Sequence, residues 1–314
     1  MPELPEIETI KTQLAEKIIG RKIVNVQVRL LKLFWGDKKS IIGTRIVGVG
    51  RRAKMLNIRL SDGRYLVVHL KMTGQMVYGE VKNQKSKIKN IRQNPKVDKE
   101  YIAETVSFHQ GIPLAGFELP GKSTHVIFDL DHSASSGQVG KLFFNDNRRF
   151  GWIRVMTHEQ LRMYNEKLGP EPFAKEFSPE YLLRICNSWG RPIKLLLMEQ
   201  SKIAGIGNIY ANEALWCARI SPLKSAKDLA KEGPERIKKL YRCILEVLTM
   251  GIKHQGSSVK DKTYVNALGE KGKMQEYFAV YQKVGSPCPR CGRKIKMTRV
   301  GGRGTFYCPN CQKG

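Results

Sequence analysis

Leu56-Asn57-Ile58-Arg59-Leu60-Ser61-Asp62-Gly63-Arg64-Tyr65-Leu66-Val67-Val68-His69-Leu70 contains two runs with an apolar side chain at every second position, split by a turn. Leu56, Ile58 and Leu60 share one face of the first run, and Leu66, Val68 and Leu70 share one face of the second. A period of two is the strand period. The link Ser61-Asp62-Gly63 is too short for a crossover helix, so the two strands must run antiparallel. The alternation returns in Val24, Val26, Val28 and Leu30 and in Val126, Phe128 and Leu130, and further short strands are expected over 141–145 and 152–155. No helical pattern separates these strands, so an antiparallel β-sandwich or flattened barrel fits better than a parallel sheet.

On the N-terminal side of this region, residues 3–19 read as an amphipathic helix. Ile7, Ile10, Leu14 and Ile18 recur at spacings of three and four, and Gly20 ends the pattern. It is preceded by Met1-Pro2-Glu3-Leu4-Pro5-Glu6. Initiator Met is normally removed before a small residue, which would leave Pro2 as a terminal secondary amine beside the Glu3 carboxyl. At about pH 7.4 roughly a quarter of such an amine is neutral, against roughly 0.1% of an ordinary lysine, an advantage worth about 3.5 kcal/mol. A secondary amine that attacks a sugar C1′ forms an iminium, which acts as an electron sink. Pro and acids in a first turn also simply start a helix well, and both roles are compatible.

On the C-terminal side, between Gly79 and Lys122, the alternation lapses. Residues 82–92 carry Lys82, Lys85, Lys87, Lys89 and Arg92 without an acid, as an exposed basic loop would. After Thr157 the pattern becomes helical over about 179–188, 191–199, 208–218 and 234–250, with Ser178-Pro179-Glu180 as a capped helix start. The boundary between the two regions falls in 157–178. Cys186, Cys217 and Cys243 lie in the helical stretches and read as buried, reduced thiols. Residues 205–210, Gly-Ile-Gly-Asn-Ile-Tyr, place Asn208 as a cap for the following helix, whose free amides would suit a phosphate. The last thirty residues are a unit of their own. Cys288, Cys291, Cys308 and Cys311 have four-thiolate zinc spacing, with a hairpin between the pairs and Gly301-Gly302-Arg303-Gly304 at its tip.

The chain has 314 residues, 55 Lys plus Arg against 28 acids, and a net charge of +27. A field of that sign calls for a polyanion, nucleic acid first. There is no apolar run of membrane-span length and no basic-then-apolar leader, so the expected location is the cytoplasm. Arg51-Arg52-Ala53-Lys54, Lys71-Met72-Thr73-Gly74 and Asn147-Arg148-Arg149-Phe150-Gly151 are cationic turns at strand ends. Taken on their own, Met72 and Phe150 are more simply residues at the rim of the core than wedges into a base stack.

Together these residues resemble the formamidopyrimidine-DNA glycosylase family, bacterial repair enzymes that remove oxidised purines. The similarity rests on Pro-Glu-Leu-Pro-Glu at 2–6, Gly-Ile-Gly-Asn-Ile-Tyr at 205–210, Arg-Arg-Phe-Gly at 148–151 and the finger ending Gly-Arg-Gly-Thr-Phe-Tyr-Cys. It spans nearly the whole chain outside about 80–122. The resemblance implies an α+β multidomain protein: an N-terminal helix with an antiparallel β-sandwich over 2–157, a helical helix–two-turn–helix DNA-binding domain over 158–284, and a β-hairpin zinc finger over 285–314. It implies a catalytic set of Pro2, Glu3, Lys54 and Arg303 supported by Glu6, with Pro2 attacking C1′ and Glu3 moving the proton. Lys54, Asn208, Arg303 and His125 would hold phosphates, and Met72, Arg148 and Phe150 would fill the gap left by an everted nucleotide. The 256–273 loop, with Lys260, resembles the segment that covers an everted 8-oxoguanine. One structural zinc, damaged double-stranded DNA as partner, a monomeric state and a nucleoid-associated bacterial location are also implied. Two departures stand out: Lys71 and Asn147 occupy positions where the family usually has Gly and frequently has Pro. The alternatives are an endonuclease-VIII-like enzyme for oxidised pyrimidines and a non-catalytic damaged-DNA-binding protein.

Overall fold

The computed structural model describes residues 2–81, 106–107, 119–132, 139–259 and 264–313. The basic stretch 82–92 and Lys260 lie outside the described residues. Helix α1 (Leu4–Ile18) leads into a sandwich of two five-stranded sheets. One sheet has the order β1 (Ile23–Val28), β8 (Thr124–His132), β9 (Val139–Asp146), β6 (Gly74–Val81), β7 (Val106–Ser107). The other has the order β2 (Phe34–Trp35), β10 (Trp152–Met156), β5 (Tyr65–His69), β4 (Met55–Leu60), β3 (Ile46–Arg52). The sandwich is antiparallel as expected, except for the short β2–β10 pair, which is parallel.

Leu56, Ile58, Leu60, Leu66 and Val68 from one sheet meet Val126, Phe128, Leu142 and Phe144 from the other. Ile7, Ile10, Leu14 and Ile18 of α1 join the same core, fully buried, so the helix cannot rotate without exposing all four. In β1 and just after it the expected face holds at Val26, Val28 and Leu30 and fails only at Val24. A register shift between Ile23 and Asn25 turns Ile23 and Val26 inward and leaves Val24 45% exposed. Helix α2 (His158–Asn165) begins at Thr157, which accepts the Gln160 amide in a capping box, and packs Leu161 on Val67, Trp152 and Met156. The sequence pattern contains that box, but the helix is short and has one buried apolar residue, so periodicity does not reveal it.

The remaining helices are α3 (Pro179–Asn187), α4 (Ile193–Met198), α5 (Asn208–Ala218), α6 (Ala226–Lys231) and α7 (Pro234–Lys253). They surround a second core in which α5 is buried on almost every face. Last come β11 (Lys296–Val300) and β12 (Arg303–Tyr307), paired Val300 to Arg303 across Gly301-Gly302. Both glycines have positive φ, the requirement of a two-residue hairpin turn. No helix among the described residues is long and apolar enough to cross a membrane.

The cysteines of the helical core differ from expectation. Cys186 is a buried thiol, its pKa pushed up to about 12 by burial, but Cys217 on α5 and Cys243 on α7 are joined in a disulfide. Their separation of 26 residues carries no pattern; the packing of α5 against α7 brings the Cα atoms to 5.7 Å.

Candidate active site

Glu3 precedes the first turn of α1 and is 1% exposed. Its carboxylate accepts the amides of Gly207 (2.7 Å), Ile209 (2.8 Å) and Tyr210 (3.4 Å). The anion at the N-terminus of α5 is therefore Glu3, not the phosphate expected there, and the helix dipole and free amides favour its charged form. A Cβ on Gly207 would lie 2.4 Å from the Glu3 carboxyl carbon, so only glycine admits this contact. Leu4 donates its amide to Gly205, at 3.0 Å, and so clamps the chain start to the same turn.

Glu6, also 1% exposed, returns one oxygen to the Glu3 amide at 2.8 Å. Its other oxygen accepts the Tyr210 hydroxyl (2.9 Å), the Ser257 amide (2.8 Å) and the Ser257 hydroxyl (3.1 Å). Tyr210 fits there because α7 presents Gly251 to its ring, where a Cβ would come within 2.6 Å. Glu6 is the joint between the chain start, α5 and the 256–273 segment.

Lys54 lies in the turn between β3 and β4, 7% exposed. Arg51 binds Glu171 through two nitrogens (2.6 and 3.2 Å) and Glu8 through a third (2.7 Å), and Glu171 also accepts the Ala53 amide. Arg51 is thus spent in ion pairs that fix the turn, which leaves Lys54 as its candidate catalytic cation. Burial pushes its pKa down against the pull of Glu3 and Glu6, and Arg303 and Lys71 push it down further. Burial raises the Glu3 pKa against the opposing pull of Lys54. The two groups are close enough to feel each other, and each is moved toward its neutral form.

The three residues expected to wedge into the base stack come together. Met72 is 39% and Phe150 53% exposed; the Arg148 guanidinium lies 4.8 Å from the Phe150 ring centroid and 3.2 Å from the Met72 sulfur. Neither Met72 nor Phe150 is a core-rim residue. Their loops are built on Asp146, fully buried, which accepts the amides of Arg148 (3.1 Å), Phe150 (2.8 Å) and Gly151 (2.7 Å) and the Thr73 hydroxyl. His125, expected at a phosphate, is 5% exposed, and its Nε2 lies 2.9 Å from the Asp146 carbonyl oxygen. Burial holds the His69 imidazole neutral down to about pH 3, and its Nδ1 accepts the Lys71 amide at 3.0 Å, which sets the turn before Met72.

The hairpin reaches the same place. Arg303 is exposed at its tip, close enough to act on both Lys54 and Lys194. Asn208 does not cap α5. Its side-chain amide donates to the Gly304 carbonyl at 3.2 Å, and Lys194 donates to the same carbonyl (2.9 Å) and to Thr305 (2.7 Å). Lys194 is fully buried, with its pKa lowered to about 8 chiefly by burial. Asp146, Glu171 and Lys194 are the organising residues that sequence reading missed. Only Asp146, ahead of an Asn-Arg-Arg turn, carried a local signal, that of an Asx turn.

The four finger sulfurs lie within 4.8 Å of one another, Cys291 to Cys308 at 3.5 Å and Cys288 to Cys311 at 4.0 Å. A tetrahedron with Zn–S bonds of about 2.3 Å has edges of about 3.8 Å, so the cluster fits one zinc ion, and four thiolates leave it no open position.

Known proteins that resemble the chain define a class of the same three parts. A formamidopyrimidine-DNA glycosylase N-terminal domain model matches residues 1–153, the H2TH domain model of these glycosylases matches 168–263, and a zinc finger found in FPG and IleRS matches 285–314. A formamidopyrimidine-DNA glycosylase of Pelotomaculum thermopropionicum is 38% identical over 320 residues, covering 100% of this chain and 99% of the relative. One of Chloroflexus aurantiacus is 36% identical, covering 99% and 98%. Solved MutM in complex with carbocyclic 8-oxo-G containing DNA superposes with a TM-score of 0.77 at 31% identity, covering 100% of both chains. Lactococcus lactis FPG with Fapy-dG containing DNA gives 0.77 at 30%, covering 99% of this chain and 100% of that one. The chain belongs to the formamidopyrimidine-DNA glycosylase family.

Proposed function

We propose that the protein is a bifunctional DNA glycosylase and abasic-site lyase that removes oxidised purines, 8-oxoguanine and formamidopyrimidines, from duplex DNA. The observation that carries the reading is the Glu3 carboxyl, buried on the N-terminus of α5 beside Lys54 and one residue after Pro2. Once Met1 is removed, the Pro2 nitrogen attacks C1′ as the damaged base leaves, and Glu3 donates the proton that helps open the sugar. The resulting iminium acidifies the C2′ proton; its loss sends an electron pair to expel the C3′ phosphate oxygen by β-elimination, and loss of the C4′ proton then expels the C5′ phosphate oxygen by δ-elimination. Lys54, in its fixed turn, stabilises the phosphate beside the lesion. Arg303 and Asn208 act at the flanking backbone, Asn208 also holding the hairpin through Gly304.

Met72, Arg148 and Phe150 occupy the space vacated by the everted nucleotide, and the 256–273 segment, with Lys260, closes over the base. His125 acts behind the wedge by holding Asp146. The functional units are 2–157, 158–284 and 285–314. The protein works as a monomer on DNA in the bacterial cytoplasm, at the nucleoid.

Borohydride trapping on duplex DNA containing 8-oxoguanine tests the reading. The natural protein should form a covalent adduct and Pro2→Gly should form none. An adduct of undiminished yield from Pro2→Gly, or from protein whose mass retains Met1 throughout, would overturn the assignment. Excision of 8-oxoguanine over thymine glycol separates this reading from a pyrimidine-specific enzyme.

A further inference from the structure

Cys217 and Cys243 lie outside the zinc cluster and belong to no part of the proposed reaction. We infer that they form a reversible oxidation site for hydroperoxides, which closes into the α5–α7 disulfide while the finger keeps its zinc. The two sulfurs differ in access. Cys217, on the last turn of α5, is half-buried, whereas Cys243, in the middle of α7, is 5% exposed. Glu246 lies on the same face of α7 as Cys243, and its carboxylate is 3.6 Å from the Cys217 sulfur. The three side chains fall within 4.8 Å of one another. A half-exposed thiol with a second thiol within bonding reach makes up a pair in which a sulfenic acid formed on the first is resolved by the second into a disulfide. Cys186 is the contrast: fully buried and free, out of reach of an oxidant in solvent.

The chemistry balances with a hydroperoxide as the oxidant. Cys217 loses its proton to solvent, and its sulfur attacks the terminal peroxide oxygen. The O–O bond breaks, and the leaving oxygen departs as water or an alcohol, leaving a sulfenic acid on Cys217. The Cys243 sulfur then attacks that sulfur, the S–O bond breaks, and a second water leaves. Two thiols have lost two electrons and two protons, and the peroxide has gained them.

The position of the bond gives it a consequence. Arg290, between two zinc ligands, donates to the main-chain carbonyls of Trp216 (3.0 Å) and Cys217 (3.4 Å), and its guanidinium lies 4.1 Å from the Trp216 ring centroid. The Trp216 indole N–H in turn meets the Cys288 sulfur at 3.4 Å. The C-terminal turn of α5 is thus the strut that carries the first zinc knuckle. Tying that turn to α7 restrains the opening by which the finger would lose its metal, under the same oxidising conditions that damage guanine.

The experiment treats reduced, zinc-loaded full-length protein with hydrogen peroxide, then maps thiols by peptide mass and follows zinc release to a chromophoric chelator. The Cys217–Cys243 peptide pair should appear, lighter by two hydrogens and reversible with dithiothreitol, before zinc is released. The oxidised protein should then lose zinc severalfold more slowly than the reduced one. Cys217→Ser and, independently, Cys243→Ala should abolish that difference while leaving excision of 8-oxoguanine unchanged. Zinc release before or together with the cross-link would overturn the proposal, as would equal zinc-loss rates in the oxidised and reduced natural protein. Because these readouts involve neither Pro2 nor DNA, they fail or succeed separately from the glycosylase reading.

Discussion

Glu3 is a buried carboxylate at a helix N-terminus, and the proposed reaction also asks it to be a proton source. Its pKa is raised, first by burial, so it binds a proton more readily folded than unfolded. Such a group adds stability below the ordinary carboxyl value and loses it as the pH rises through the folded value, so at neutral pH it costs stability. Glu3→Gln should therefore melt higher than the natural protein at pH 7.5, an advantage that shrinks toward pH 4.5. Base excision should fall by about 10²- to 10⁴-fold, the usual worth of a positioned acid, while affinity for a non-cleavable abasic duplex stays within a few fold. Full excision by Glu3→Gln would remove its proton role.

Lys54 has the opposite sign. Its pKa is lowered, chiefly by burial, so its contribution is present above the ordinary lysine value and is lost as the pH falls through the folded one. At neutral pH it too costs stability. Lys54→Met should raise Tm at pH 7.5, with the gain vanishing above about pH 10.4, and should lower strand cleavage at a preformed abasic site. A lower Tm with intact cleavage would mean that Lys54 is there for the fold.

At the scale of elements, the wedge depends on the buried carboxylate beneath it. Asp146 accepts from three backbone amides and the Thr73 hydroxyl, so Asp146→Ala strands several donors at once. A loss of about 2–4 kcal/mol in urea denaturation is expected. Excision from duplex DNA should fall more than cleavage of an abasic site, because an abasic sugar has no paired and stacked base to pull out before it reaches Pro2; equal losses would place Asp146 in stability alone. The helices were legible where a long apolar stripe met a clean start, as with Ser178-Pro179 before α3. They were not legible where a short helix is held by one residue, as α2 is by Leu161. In β1 and just after it the inward face was legible at Val26, Val28 and Leu30 but not at Val24, because a one-residue bulge against β8 puts Ile23 inward in its place and nothing local records it.

For the whole molecule, the excess of 27 positive charges sets how DNA is met, and the finger sets where one of those charges points. Removing zinc frees the hairpin that carries Arg303. DNA affinity should weaken by at least about tenfold and the salt dependence of log K should become shallower by about one phosphate, a slope change near 0.9. Unchanged affinity in a verified zinc-free protein would contradict the scaffold role of the metal.

What the sequence determined by itself was whatever depends on near neighbours: strand period, helix stripe, zinc spacing, and the amine and carboxyl at the chain start. Pro2, Glu3 and the four finger cysteines could be nominated because chemistry or spacing within a few residues marks them, whereas Lys54 was singled out from its cationic turn only by the family resemblance. The partners of those groups were decided only in three dimensions. Glu3 on the α5 amides, Glu171 on Arg51 and the Ala53 amide, Lys194 behind the hairpin and Cys217 bonded to Cys243 all join segments far apart along the chain. A buried charge must find its donors wherever packing places them, and only the folded chain specifies where that is.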